Sequence, residues 1–236
     1  MPRPEVMAVE KHDMRARWEA AHELPRFRPA YPHEQVVRWA FREFDRAAVP
    51  KAKVLDIGCG AGRHALFLAG EGFDTYACDI SSVGLREVRA AAQRRGLTMS
   101  ICQGPAQDLS QFQDASMDGA LCFAVMYYLT LDQAEQMISE VFRVLRPGGK
   151  FLCVTRGDAD SRRRDATPVG PCTWHINALG PGAPSAMEED MDMLFFSKED
   201  IERIFRLFRS LVIDRMTYTH SGFVDDDWVI TAVRGE

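Results

Sequence analysis

The stretch Val54-Leu55-Asp56-Ile57-Gly58-Cys59-Gly60-Ala61-Gly62-Arg63 constrains this chain more than any other. Val54, Leu55 and Ile57 make an apolar run of the kind a buried strand carries, and Gly58, Gly60 and Gly62 make a tight turn with exposed backbone. Arg63 to Ala69 then reads as the start of a helix. A strand, a loop and a helix in this order are built to hold a ligand.

The pattern continues on both sides of the loop. After the strand at 51–57 and the helix at 63–70, a second strand is expected at Thr75–Asp79. A helix opens near Ser81-Ser82 and stops at Gly96, and strands follow at Thr98–Cys102 and Met117–Phe123. Thr130 and Gln133 have capping-box spacing ahead of Ala134, Met137, Ile138, Val141 and Leu145, which share one helical face. Arg143 and Arg146 fall where that helix should end, before Pro147-Gly148-Gly149 and a fifth strand at Lys150–Thr155. The alternation predicts a parallel sheet with helices on both faces.

Outside this core the reading is coarser. Residues 1–45 read as an N-terminal flap and a helix covering the site, the helix at Gln35–Phe44 carrying apolar residues at helical spacing, and 46–236 read as the main domain. Residues 156–196, with Arg162-Arg163-Arg164 and many prolines and glycines, break the rhythm and read as a lid insertion. Regularity returns with a helix after Ser197 and strands near 211–218 and 227–233.

At 236 residues, 46% of them hydrophobic, the chain can bury one full core, and its net charge of -5 argues against a nucleic-acid-coating protein. The longest uncharged apolar run, Ala120 to Leu129, is about half a membrane span. The N-terminal residues lack a signal-peptide core, so a cytoplasmic location and no membrane contact are expected. The six cysteines show no metal-binding spacing and read as reduced thiols, with no metal site.

The loop itself selects among ligands. Gly58-Cys-Gly60-Ala-Gly62 departs from the dinucleotide fingerprint, which needs a glycine where Arg63 stands, and no Gly-Lys-Ser/Thr follows as a phosphate loop requires. Taken with Ala77-Cys78-Asp79-Ile80, with Gly104-Pro-Ala-Gln-Asp108 and with Val144-Leu-Arg-Pro-Gly-Gly-Lys150, the chain resembles the class I S-adenosylmethionine-dependent methyltransferases over 51–155. The resemblance implies a doubly wound, mostly parallel seven-stranded Rossmann-like sheet whose last strand is antiparallel. It also implies S-adenosylmethionine as cofactor, with S-adenosylhomocysteine as product. By the same resemblance Gly58, Cys59, Gly60 and Gly62 cradle the methionyl portion and Asp56 faces its amino end. Asp79, with Ile80 beside it, accepts from the ribose hydroxyls. Gln107 and Asp108 meet the adenine, and Phe123 lies beside the reacting centre.

Methyl transfer from a sulfonium needs alignment more than proton transfer, so no triad is expected. A base helps an alcohol acceptor, and His175 in the lid is the first candidate, ahead of His22 and His33. Tyr31, Arg28, Tyr127, Tyr128 and Trp174 are candidate acceptor-binding residues, and Arg26 and the Arg162–Arg164 run could hold a carboxylate or phosphate. The place after the fourth strand reads Cys122-Phe-Ala-Val-Met126, without the motif of DNA amino-methylating enzymes, so a small-molecule acceptor and no nucleic acid are expected. Two rivals stay open. One is an NAD(P)-linked oxidoreductase, which Asp79 would also suit, and the other is a non-catalytic cofactor-binding regulator or partner subunit.

Overall fold

Apolar strands alternating with one-sided helices fold here into a single seven-stranded sheet with helices on both faces, as the computed structural model shows for residues 13–45, 47, 51–177 and 186–236. The helices are α1 (Met14–His22), α2 (Glu34–Glu43), α3 (Arg63–Gly70), α4 (Ser82–Arg95), α5 (Leu131–Val144) and α6 (Lys198–Ile204). The strands of the main sheet are β1 (Lys53–Ile57), β2 (Asp74–Asp79), β3 (Ser100–Gln103), β4 (Met117–Phe123), β5 (Leu145–Arg156), β9 (Ser210–His220) and β10 (Phe223–Val233). A second, small sheet holds β6 (Thr167–Gly170), β7 (Thr173–Ile176) and β8 (Met191–Leu194).

The strand order is β3-β2-β1-β4-β5-β10-β9, and the first five are mutually parallel. The final strand, β10, runs antiparallel to both β5 and β9. β1 therefore sits between β2 on one side and β4 on the other, and the chain reverses its winding there. Such a switch point opens a crevice at the carboxyl ends of the strands, which is where sheets of this kind hold ligands.

Local chemistry sets the helix ends. The Ser81 hydroxyl accepts from the Gly84 N–H to start α4, and Gly96 closes it in a left-handed conformation at φ 63°. Thr130 and Gln133 form the expected capping box at α5, and Ala134, Met137, Ile138, Val141 and Val144 form its buried stripe. Each large member of that stripe contributes about 1.5–3 kcal/mol by leaving water. α5 ends at Val144, one residue before the expected stripe closes, because Leu145 already joins β5 and the Pro147-Gly-Gly149 turn lies within that strand. Arg146 is thus outside the helix and pairs with Asp118 at 2.5 Å. Arg143 does lie in the last turn, where it pairs with Glu140 and Asp114.

The N-terminal segment divides in two. α2 belongs to the sheet's layers, with Val36, Trp39 and Ala40 packed on Val54, Leu121 and Leu152. α1 lies instead over the carboxyl ends of the strands, against α4.

The 156–196 insertion is more regular than its composition suggests. β6, β7 and β8 pair antiparallel, in strands only four residues long that local periodicity does not reveal. Its anchor is a buried charge cluster. Arg162 donates to Asp160 (3.0 Å), Glu188 (2.6 Å) and Asp225 (2.7 Å), and Arg156 donates to Asp227 (3.0 Å). Breaking such a cluster by removing one partner costs about 3–5 kcal/mol. Among the described residues no helix is long and apolar enough to cross a membrane.

Candidate active site

A cavity of about 850 Å³ opens at the switch point, between the glycine loop, the ends of β2 and β4, α1 and the small sheet. Small-molecule sites typically occupy about 300–1,000 Å³, so the space takes a nucleoside-sized ligand with a second molecule beside it. The loop forms one wall. Gly58 (φ 68°) and Gly62 (φ 87°) are left-handed, and a β-carbon on them would meet Val125 Cγ2 at 2.3 Å and Val88 Cγ2 at 2.7 Å. Gly58→Ala is therefore expected to lower stability by about 2–4 kcal/mol, from backbone strain and overpacking together. Urea unfolding checks this, and an unchanged midpoint would show that the loop has room to relax.

Asp79 ends β2 and faces the loop. Its Oδ2 accepts from the Gly60 N–H at 2.7 Å and its Oδ1 from the Ser81 N–H at 2.7 Å. Each oxygen keeps a free acceptor position, and the side chain lines the cavity. Burial pushes its carboxyl above the usual range, opposed by the N–H groups of Ser81 and Gly60 and by His22. His22, at the end of α1, fills the space left by two glycines. A β-carbon at Gly60 would lie 3.1 Å from its Nε2 and one at Gly84 2.9 Å from its Nδ1. Burial pulls the His22 imidazole below its ordinary value, and the charge of Asp79 opposes that shift.

The opposite wall comes from the small sheet. His175 on β7 pairs through Nδ1 with Asp192 Oδ1 at 2.8 Å, and its Nε2 is 3.5 Å from Asp190 Oδ1. All three residues line the cavity, as does Tyr128, whose hydroxyl donates to Glu188 at 2.8 Å. Glu188 in turn accepts from Arg162, so the charge cluster that anchors the insertion also fixes Tyr128.

Known proteins resemble this chain over the glycine loop and the strands around it. A methyltransferase-domain family profile matches residues 54–149, the span from β1 to the turn within β5. A probable S-adenosylmethionine-dependent methyltransferase of Mycolicibacterium smegmatis is 30% identical over 180 residues, covering 76% of this chain and 64% of its own. The chain is thus similar to S-adenosylmethionine-dependent methyltransferases. A rice mitochondrial 2-methoxy-6-polyprenyl-1,4-benzoquinol methylase is 36% identical over 90 residues, 36% of this chain and 29% of that protein. The chain thus spans less than two thirds of the length of either relative. A Methanosarcina mazei structure of this class superposes with a TM-score of 0.68 at 22% identity, covering 87% of this chain and 99% of that one, and shows the shared fold.

Set against the family resemblance, this chain gathers most of the expected residues and leaves several out. Gly58, Cys59, Gly60, Gly62, Asp79, Ile80, Gln107, Phe123, Tyr128 and His175 all line the cavity. Asp108 does not: its side chain is exposed and accepts from the Ser110 N–H at 3.0 Å, closing a turn, while Ala106 and Gln107 line the wall in its place. Asp56 is buried beneath the loop, where Oδ2 accepts from the Ala65 N–H at 3.0 Å and caps the start of α3, so it supports the loop without lining the cavity.

The acceptor candidates need similar correction. Tyr127 is buried under Arg156, whose guanidinium sits 4.8 Å from its ring. Trp174 alternates with His175 along β7 and so faces away from the cavity, under Arg163 at 4.3 Å. Tyr31 is 84% exposed and stands apart. Arg28 pairs with Glu87 at 2.9 Å and donates to the His22 carbonyl, which ties the end of α1 to α4. Arg162 is committed to the charge cluster, and Arg164 donates to the Gly222 carbonyl. Trp18 on α1, Asp190 and Asp192, and Arg63 with His64 line the cavity without having been singled out by the sequence. Of these, only Arg63-His64 carried a signal, as the polar pair directly behind the glycines.

Burial of Asp56 has a measurable effect. It pushes the carboxyl from an ordinary 3.8 up to about 7, with the Ala65 N–H opposing. The folded value lies above the unfolded one, so the stability this group supports is present in full below about pH 4 and is lost as pH rises through 7. The loss is about 4 kcal/mol at 1.4 kcal/mol per unit. Asp56→Asn keeps a carbonyl for Ala65 but cannot ionise, so its melting temperature should fall less than wild type between pH 5 and 8. Parallel curves would show that Asp56 does not couple folding to pH.

Proposed function

We propose that this chain transfers a methyl group from S-adenosylmethionine to an oxygen or nitrogen of a small-molecule acceptor. The observation that carries the reading is the juxtaposition, across one cavity, of the glycine cradle with its open Asp79 carboxylate and the His175–Asp192 pair. The residues present fit the cofactor. The loop leaves no room for side chains on its glycines, and each Asp79 oxygen retains an acceptor position for one ribose hydroxyl. Ile80 and Gln107 would flank the adenine and Phe123 the reacting end. When bound, S-adenosylmethionine supplies a methyl group on a sulfonium, and the thioether leaves without needing a proton.

The chain's own residues then have two tasks. The first is orientation, with α1 and the small sheet holding an acceptor against the cofactor pocket and excluding water, an effect that can reach about 7–11 kcal/mol. The second is proton removal from an alcohol acceptor. Asp192 fixes the His175 ring through Nδ1, and Nε2, 3.5 Å from Asp190 Oδ1, is the atom that would take the proton, a contribution of about 10² to 10⁴ in rate. Tyr128, held by Glu188, would position the acceptor. The benzoquinol methylase among the relatives supports a small acceptor, and the net charge of -5 argues against a nucleic-acid acceptor. All six cysteines are free thiols, which suits a reducing compartment such as the cytoplasm.

Calorimetry with S-adenosylhomocysteine and, separately, NADH tests the reading. Micromolar binding of the thioether is expected, with no response to NADH. Tight NADH binding with no response to the thioether would replace the methyltransferase with an oxidoreductase. A turnover screen of alcohols, amines, carboxylates and phosphates then identifies the acceptor, and thioether binding with no turnover on any acceptor would favour a regulator.

A further inference from the structure

Two cysteines face each other at the edge of the main sheet, beside the cavity. Cys78 on β2 and Cys102 on β3 are register partners, so their side chains leave the same face of neighbouring strands. The Gln111 Nε2 donates to both sulfurs, at 3.5 Å to Cys78 and 3.8 Å to Cys102, and the two thiols are within hydrogen-bonding reach of each other. Cys78 is 1% exposed, while Cys102 is half-buried on a strand at the edge of the sheet. Cys102 therefore meets solvent and Cys78 lies behind it. Hydrogen bonds from Cys78 and Gln111 lower the pKa of the Cys102 thiol against the opposing effect of burial, and the same contact, with burial, raises that of Cys78. A second register pair gives the contrast. Cys122 on β4 and Cys153 on β5 are fully buried, with the sulfurs of Met137 and Met126 against them, so an oxidant in solution does not reach them.

Neighbouring strands lie about 4.7–4.9 Å apart, inside the range of about 4.4–6.8 Å that a disulfide spans between α-carbons. We propose that Cys78 and Cys102 form a redox pair that a hydroperoxide closes into a disulfide beside the cavity. The Cys102 thiolate attacks a peroxide oxygen, the O–O bond breaks, and Cys102 becomes a sulfenic acid as an alcohol or water leaves. The Cys78 sulfur then attacks the sulfenic sulfur, its proton departs with the hydroxyl as water, and the S–S bond forms. The two thiols together lose two electrons, and the peroxide takes both. An external dithiol reverses the step, as a transient disulfide in a reducing compartment requires. The pair bears on the cavity through Cys78, whose carbonyl accepts from the Gly58 and Cys59 N–H groups and whose thiol donates to the Gly104 carbonyl at 3.7 Å. Gly104 lines the cavity and donates through its N–H to the Asp79 carbonyl. Turning the Cys78 sulfur toward Cys102 gives up the Gly104 contact, so the oxidised form should bind S-adenosylhomocysteine more weakly. Only this last effect rests on the methyltransferase reading.

Treating the folded full chain with a small excess of hydrogen peroxide should consume two of its six thiols, and peptide mapping should place one disulfide between Cys78 and Cys102. Cys102→Ser should keep every remaining thiol under the same treatment. Cys78→Ala should stop at the sulfenic acid, which dimedone captures on Cys102. Cys78 is buried, so if that variant does not fold, the wild-type map and Cys102→Ser decide the question. Six thiols surviving in the wild type would overturn the pair, as would a disulfide joining any other cysteines or the loss of two thiols from Cys102→Ser. Calorimetry then compares the reduced and oxidised wild type. A loss of about threefold or more in S-adenosylhomocysteine affinity is expected, recovered with dithiothreitol. Equal affinity would overturn the effect on the cavity. If the reduced protein does not bind the thioether at all, the methyltransferase reading falls, and the thiol count and peptide map decide the pair by themselves.

Discussion

Replacing Asp79 by alanine should weaken S-adenosylhomocysteine binding by at least tenfold, and by about a hundredfold if both ribose hydroxyls use the carboxylate. One charge-assisted hydrogen bond contributes about 1.5–3 kcal/mol, and 1.4 kcal/mol is tenfold. The carboxylate also holds the N–H groups of Gly60 and Ser81, so alanine leaves both without that partner and loosens the loop proposed to cradle the methionyl portion. Asp79→Asn separates the two roles. Its single carbonyl can serve one N–H, so it should melt closer to wild type than alanine does while still losing affinity. Because burial holds Asp79 above the usual carboxylate range, wild-type affinity should also start to fall in acid at a higher pH than an ordinary aspartate would give. Calorimetry at pH 8 reads the mutant effect, and unchanged affinity in Asp79→Ala would show the ribose assignment to be wrong.

The parts of the site that could be read from the sequence are those decided within a few residues. A buried strand, three left-handed glycines and a helix start are all local events, which is why 54–70 and the end of β2 at Asp79 stand where periodicity places them. The capping box at Thr130 and Gln133 is local in the same sense. What the sequence hides depends on which way a side chain turns at a bend or on partners far along the chain. Asp108 folds back onto Ser110 and Asp56 onto Ala65, and each choice is invisible in a motif that records only residue type. The arginines at 162–164 look like an anion site because nothing nearby reveals Glu188 and Asp225, which claim Arg162 from 26 and 63 residues away. The small sheet has the same origin, since β7 and β8 are joined across 14 residues and neither is long enough to show a period of its own. That sheet is also what turns His175 from one histidine in an irregular stretch into a side chain facing Asp192.

His175→Ala should lower turnover by about 10² to 10⁴ fold on an oxygen acceptor and leave S-adenosylhomocysteine affinity within twofold of wild type. The split follows from position: His175 lines the cavity from the small sheet, while the residues fitted to the cofactor lie on the glycine loop and on β2, β4 and the turn after β3. Asp192 contacts the ring and not the cofactor cradle, so Asp192→Asn should act in the same direction and more weakly, because an amide oxygen can still accept from Nδ1. The two changes should not add, since the second acts only through the first. On a nitrogen acceptor that arrives unprotonated the losses should shrink to below tenfold, and the ratio between acceptors then reports whether proton removal is part of the barrier. Wild-type turnover by His175→Ala on an oxygen acceptor would remove the imidazole from the reaction and leave orientation by α1, Tyr128 and the small sheet as the whole contribution of this wall.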